Sequence, residues 1–100
     1  MITKNQIQSA QRRAARMLAQ AKILITPQER LDIEVAGFAL NDLEHTGLEL
    51  IVYVNNDRYC AKELILFPHQ TCPEHRHPHG AGSAGKMETF RCRWGCAWLY

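Results

Sequence analysis

The sequence predicts a mainly β domain preceded by α-helices, and three observations carry that expectation. Apolar residues recur at helical spacing over the first third of the chain, alternate in strand fashion after Leu40, and are then interrupted by turn clusters at short intervals. Two units follow from this: a helical N-terminal extension over residues 1–40 and an antiparallel β domain over residues 41–100. With 100 residues, 46% of them apolar and 22% charged, the chain has material for one core and an ordinary globular surface. Folding at this size hides only about 60–70% of the unfolded surface, so a lone domain is expected to be marginal.

Residues 4–21 read as the first helix. Thr3 and Gln6 have the spacing of a capping box, which satisfies N–H groups at a helix start. Ile7, Ala10, Ala14, Met17, Leu18 and Ala21 then form one apolar stripe, read as core contact rather than a cofactor box. Thr26-Pro27-Gln28-Glu29 starts a second, short helix, with proline at the first helical position.

The strands come next. Residues 48–54 are rich in β-branched and aromatic side chains, and Asn55-Asn56-Asp57 supplies a turn. A second strand is predicted over 58–67, closed by Pro68, and a short third over 72–77. A polar loop covers 78–86, with Gly80, Gly82 and Gly85 as breakers. Residues 87–94 read as a fourth strand, Gly95 as a turn, and 96–100 as the start of a fifth. An apolar ending at Ala97-Trp98-Leu99-Tyr100 resembles a strand cut off before its neighbours, and its unpaired edge favours association, with a homodimer as the simplest form.

Twelve basic residues against ten acidic ones leave +2, a balance that argues against a dedicated nucleic-acid binder. No apolar run approaches the roughly 18 residues of a membrane span. The start, Met1-Ile2-Thr3-Lys4-Asn5-Gln6, has no apolar signal region, so a cytoplasmic protein is expected. The small net charge hides a segregation, +5 over residues 1–30, −5 over 31–63 and +2 over the rest. The basic segment reads as a solvated helix face docked on the acidic one.

The chemistry concentrates in Cys72-Pro73-Glu74-His75-Arg76-His77-Pro78-His79. Residues two apart on a strand share a face about 6.6 Å apart, so His75 and His77 can converge on one metal ion. Glu88, at the head of the next predicted strand, is placed to add a carboxylate. Two imidazoles and a carboxylate suit a borderline-to-hard divalent cation with positions open to substrate. His69 and His79 sit beside turn residues and read as exposed or hydrogen-bonded. Of the four cysteines, Cys92 and Cys96 have a spacing near that of zinc ligands, but Cys60 and Cys72 form no matching pair. Reduced cysteines acting as small apolar residues are the simpler reading.

His75-x-His77, a loop, Glu88, six residues and Gly95 resemble the first conserved motif of the cupin superfamily. A longer string is more specific: Tyr53-Val54-Asn55, Asp57-Arg58-Tyr59-Cys60, Lys62-Glu63-Leu64, Phe67-Pro68, Gln70 through Pro78, Gly85-Lys86 and Glu88 through Arg93 look like the D-lyxose isomerases of the small, single-cupin type. Residues 45–100 carry that resemblance strongly, and the N-terminal helices match in character more than in letters.

The resemblance implies a jelly-roll β-barrel holding a divalent cation, usually manganese, and an aldose–ketose isomerase interconverting D-lyxose and D-xylulose through an enediol. Carried over by position, His75, His77 and Glu88 are the metal ligands. Lys62 matches an active-site lysine that either carries a proton or holds a sugar hydroxyl. Ten residues separate His77 from Glu88, more than in most cupins but as in this isomerase type. The second cupin motif, with a fourth ligand histidine, has no counterpart among the 100 residues. The chain therefore reads as an incomplete barrel and an N-terminal portion, with weak or absent turnover expected on its own. Two other functions stay open at this point: a non-catalytic metal- or sugar-binding cupin, and a small zinc-binding module.

Overall fold

The computed structural model describes residues 1–75 and 87–99 of the 100-residue chain. Helix α1 spans Lys4–Gln20 and α2 spans Pro27–Leu31; strands β1 (Glu34–Ala36), β2 (Leu48–Asn55) and β3 (Cys60–Ile65) follow. Both helix starts are closed as the sequence predicts. Thr3 Oγ1 accepts from the Gln6 amide at 3.1 Å while Gln6 Oε1 accepts from the Thr3 amide at 2.8 Å. Thr26 and Glu29 repeat the arrangement at 3.0 and 2.8 Å, with Pro27 in the first turn.

The three strands form one antiparallel sheet in the order β1-β2-β3. At the β2–β3 turn, Asn56 Oδ1 accepts from the amides of Arg58 and Tyr59 at 2.9 and 3.1 Å, a side chain standing in for a backbone acceptor. Pairing is regular from Glu49↔Ile65 to Val52↔Lys62. It then shifts at Tyr53, so that Val54 faces Ala61.

Register divides the sheet into two faces. Glu49, Ile51, Glu63 and Ile65 share the face turned to α1. There Ala10, Ala14 and Leu18, one turn apart on the helix, pack with Ile33, Ile51, Ile65 and Phe67 into the core. Alanines at two of these helix positions let α1 approach the sheet closely. Gln11 Nε2 donates to Ile33 O at 2.8 Å and ties the helix to the entry of β1. The opposite face carries Leu48, Leu50, Val52, Lys62 and Leu64. Leu48 and Leu50 are buried outside the core that α1 shares.

The helical and acidic segments dock as expected. Arg13 Nη1 reaches both carboxylate oxygens of Glu44, at 3.1 and 3.3 Å, and the Arg13 guanidinium lies 4.0 Å over the Phe67 ring. Gly47, at φ +141°, could not carry a side chain, because a Cβ there would stand 2.5 Å from Ala36 O.

Several elements differ from the sequence reading. β1 was not anticipated; three residues are too few to show alternation, and it exists because Val35 and its neighbours pair with β2. β3 is shorter than 58–67 because the turn extends through Tyr59 and the sheet pairing stops at Ile65. Residues 72–75 and 87–99 form no strand. A strand needs a partner ladder, and none runs beside them among the described residues. The described sheet is accordingly open, with three strands and no barrel. Residues 76–77, 86 and 100, which complete other expected segments, lie outside the described residues, as does the loop between them. No helix among the described residues is long and apolar enough to cross a membrane.

Candidate functional site

Beyond β3 the chain turns at Phe67–Gln70 and runs back against the segment before β2. Gly47 N donates to Thr71 O and Thr71 N to His45 O, both at 2.8 Å. These bonds hold Thr71 at the sheet margin and deliver residues 72–75 to a fixed starting point.

His75 is the most defined of the predicted ligands. Its Nδ1 lies 2.9 Å from Pro73 O, and a carbonyl can only accept, so Nδ1 carries the proton and the lone pair of a neutral ring is on Nε2. Such a bond is how proteins fix the tautomer of a metal-binding histidine. The ring also stands 6.1 Å, centroid to centroid, from Phe38. Phe38, Ala39 and Asn41 all have positive φ, at 55°, 59° and 54°. Left-handed backbone at a bulky non-glycine residue is costly, and it is found where surrounding structure holds a loop to a purpose. Here the loop offers an aromatic ring to His75.

Glu88 belongs to the same neighbourhood. Burial pushes the Cys72 thiol upward, and the charge of Glu88 adds to that push. Glu88 is therefore near enough to Cys72 for its charge to act on the thiol. Arg93 fastens its stretch of chain to the sheet, donating to Glu63 Oε1 at 2.6 Å, while Tyr53 OH donates to the same oxygen at 3.1 Å. The Tyr53 hydroxyl is raised above its ordinary range, first by burial and then by its bond to Glu63.

His77 lies outside the described residues. Among the described residues no three His, Cys, Asp or Glu side chains are grouped to hold a metal. Lys62 is exposed and stands on the sheet face away from α1, across from Val52 and on the same face as Leu64. All four cysteines are free. The expectation that they act as small apolar residues needs correction, because Cys60, Cys92 and Cys96 are exposed and only Cys72 is partly buried. Cys92 and Cys96 lie on a stretch with no partner strand and no second layer to cover it among the described residues, while Cys60 opens β3 beside the exposed turn. Cys92 Sγ is held locally, 3.6 Å from Trp94 O and 3.4 Å from Gly95 O.

Two features escaped the sequence reading. Phe38 as a neighbour of His75 left no signal, since nothing in the letters marks a left-handed phenylalanine. Glu49 did leave one: an acid between Leu48 and Leu50 on an apolar strand. Its side chain is fully buried, and Gln70 Nε2 donates to its Oε2 at 3.2 Å.

The fold and the site together describe a helix-backed antiparallel sheet with imidazole and carboxylate donors on the segments after β3. No protein-family model matches the chain. Curated proteins do. The chain is 59% identical over all its 100 residues to the D-lyxose/D-mannose isomerase of Thermosediminibacter oceani, covering 55% of that protein. It is 56% identical over 100 residues to the D-lyxose ketol-isomerase of a Thermofilum species, covering 56% of it. Over 91 residues it is 59% identical to the D-lyxose ketol-isomerase of Cohnella laeviribosi, covering 50%. The motif resemblance to D-lyxose isomerases is thus borne out by whole-chain similarity. The chain spans about half the length of the curated relatives it matches.

Proposed function

We propose that this chain carries the metal-holding part of an aldose–ketose isomerase that interconverts D-lyxose and D-xylulose. The observation that carries the reading is its 59% identity, across the entire chain, to a protein named D-lyxose/D-mannose isomerase. His75, His77 and Glu88 would hold the cation, and their donor set fits manganese or a similar divalent ion. The Nδ1 bond to Pro73 O supports the fit, since a backbone carbonyl on one ring nitrogen fixes the tautomer and ring orientation in the way coordinating histidines are held. When bound, the cation supplies Lewis-acid stabilisation of negative charge on the two sugar oxygens that exchange roles.

The chain's own residues bind and orient the sugar. Lys62 has three N–H donors at the end of a flexible stem, and we assign it to hold a sugar hydroxyl on the face away from α1. Leu50, Leu64 and Val52 would form the apolar floor beneath it. That face is then the interior of the jelly-roll barrel, with α1 and α2 outside it, β1 joining the sheet from within residues 1–40, and 41–100 as the first part of the barrel. D-lyxose and D-mannose share their configuration at C2, C3 and C4, so a site that reads C1 to C3 admits both. A cytoplasmic location agrees with four free cysteines, and a homodimer would cover exposed apolar side chains such as Trp98 and Leu99.

The test is formation of D-xylulose from D-lyxose by the 100-residue chain with added Mn²⁺. Low, Mn²⁺-dependent conversion that disappears in His75→Ala is expected. A protein that carries this chain at the full length of its curated relatives and binds Mn²⁺, but converts neither D-lyxose nor D-mannose, would overturn the assignment.

A further inference from the structure

Gln70 is buried, and its side chain makes three bonds that reach into three parts of the fold. Its Nε2 donates to Leu43 O at 2.7 Å and to Glu49 Oε2 at 3.2 Å, and its Oε1 accepts from the Phe67 amide at 3.0 Å. The Gln70 amide itself donates to Phe67 O at 2.9 Å. The next residue, Thr71, is bonded on both sides to the 45–47 segment, and His75 follows four positions later.

Glu49 is the unusual member. It is fully buried, its Oε1 finds no hydrogen-bond partner among the described residues, and it points into the core that α1 shares. A leucine there would avoid the cost of desolvating a carboxyl group. What the carboxyl offers that a leucine could not is an acceptor that sets the direction of the Gln70 amide.

We propose that Gln70, oriented by Glu49, is the positioning residue for the His75 segment, transmitting the geometry of the β2 core through the Phe67–Gln70 turn to the imidazole. The proposal rests on the reading of His75 as a metal ligand for its functional meaning, but its geometry can be tested without metal. Neither residue touches a reacting atom.

The experiment compares the full chain with Glu49→Gln, Glu49→Met and Gln70→Ala, using Mn²⁺ alone as the probe and working well below each variant's own melting midpoint. Glu49→Gln keeps the acceptor and should bind Mn²⁺ like the wild type. Glu49→Met and Gln70→Ala should bind about 10–100-fold more weakly, the range seen when partners that orient a ligand are removed. Glu49→Met replaces a buried carboxyl with an apolar chain of similar length, so it provides a folded variant even where Gln70→Ala does not fold. Wild-type Mn²⁺ affinity in folded Glu49→Met or Gln70→Ala would overturn the proposal. A second readout separates it from the functional reading: the ring-current shift that Phe38 imposes on the His75 imidazole protons in NMR spectra. That shift should persist in Glu49→Gln and diminish in Glu49→Met, and an unchanged shift in Glu49→Met counts against positioning. If the wild type binds no Mn²⁺, the metal reading fails, while the ring shifts still decide whether the clamp orients His75.

Discussion

Arg93 and Glu63 stand 2.6 Å apart, and with Tyr53 OH on the same carboxylate oxygen they tie the stretch after residue 87 to β3. The Glu63 side chain is only 12% exposed, whereas Arg93 is half exposed. Deleting the arginine therefore leaves a largely buried carboxylate with one neutral donor. Arg93→Ala should lower stability by about 1–2 kcal/mol, as for a charge-assisted hydrogen bond that is partly screened. Adding Glu63→Gln should recover part of that loss. Urea unfolding of the two single variants and the double variant measures the coupling.

Glu49 makes stability depend on pH in an unusual direction. Burial raises its carboxyl from the ordinary 4.5 to about 7, while the Gln70 bond and the charge of Arg13 work against that rise and Glu44 adds to it. The folded chain thus keeps a proton that the unfolded chain releases. Stability from this group is full below about pH 4.5 and is lost as pH rises through about 7. Glu49→Gln mimics the protonated form. It should stabilise the chain at about pH 8 by on the order of 3 kcal/mol, with little change near pH 4. Chemical denaturation at the two pH values tests this, and an equal effect at both would contradict it.

Gly47 is fixed by both conformation and space. Gly47→Ala would place a Cβ 2.5 Å from Ala36 O at a φ of +141°. A cost of about 1–3 kcal/mol is expected, concentrated at the β1–β2 pairing. Hydrogen exchange should show β1 losing protection before β3 does.

The sequence made the N-terminal half readable because its signals are local. Thr3 and Gln6, or Thr26 and Glu29, need only each other to form a capping box, and the Ala10, Ala14 and Leu18 spacing already describes a face. The β2–β3 hairpin was readable for the same reason, through alternation and Asn56. β1 was hidden because three residues acquire strand geometry only from their partner. Residues 72–75 and 87–99 show the converse: alternation suggested strands, but a strand requires a neighbour to pair with. At the site, His75 and Glu88 were legible as residue types at a motif spacing. The left-handed Phe38 and the Glu49–Gln70 clamp depend on contacts across 20 or more positions, which periodicity does not encode.

Coordination of one divalent cation by His75, His77 and Glu88, as proposed above, can be read by electron paramagnetic resonance of Mn²⁺ titrated into the 100-residue chain. One bound Mn²⁺ per chain is expected, lost in each of His75→Ala, His77→Ala and Glu88→Ala while far-ultraviolet circular dichroism stays unchanged. Binding that survives those three substitutions, or that disappears instead in Cys92→Ala, would contradict it.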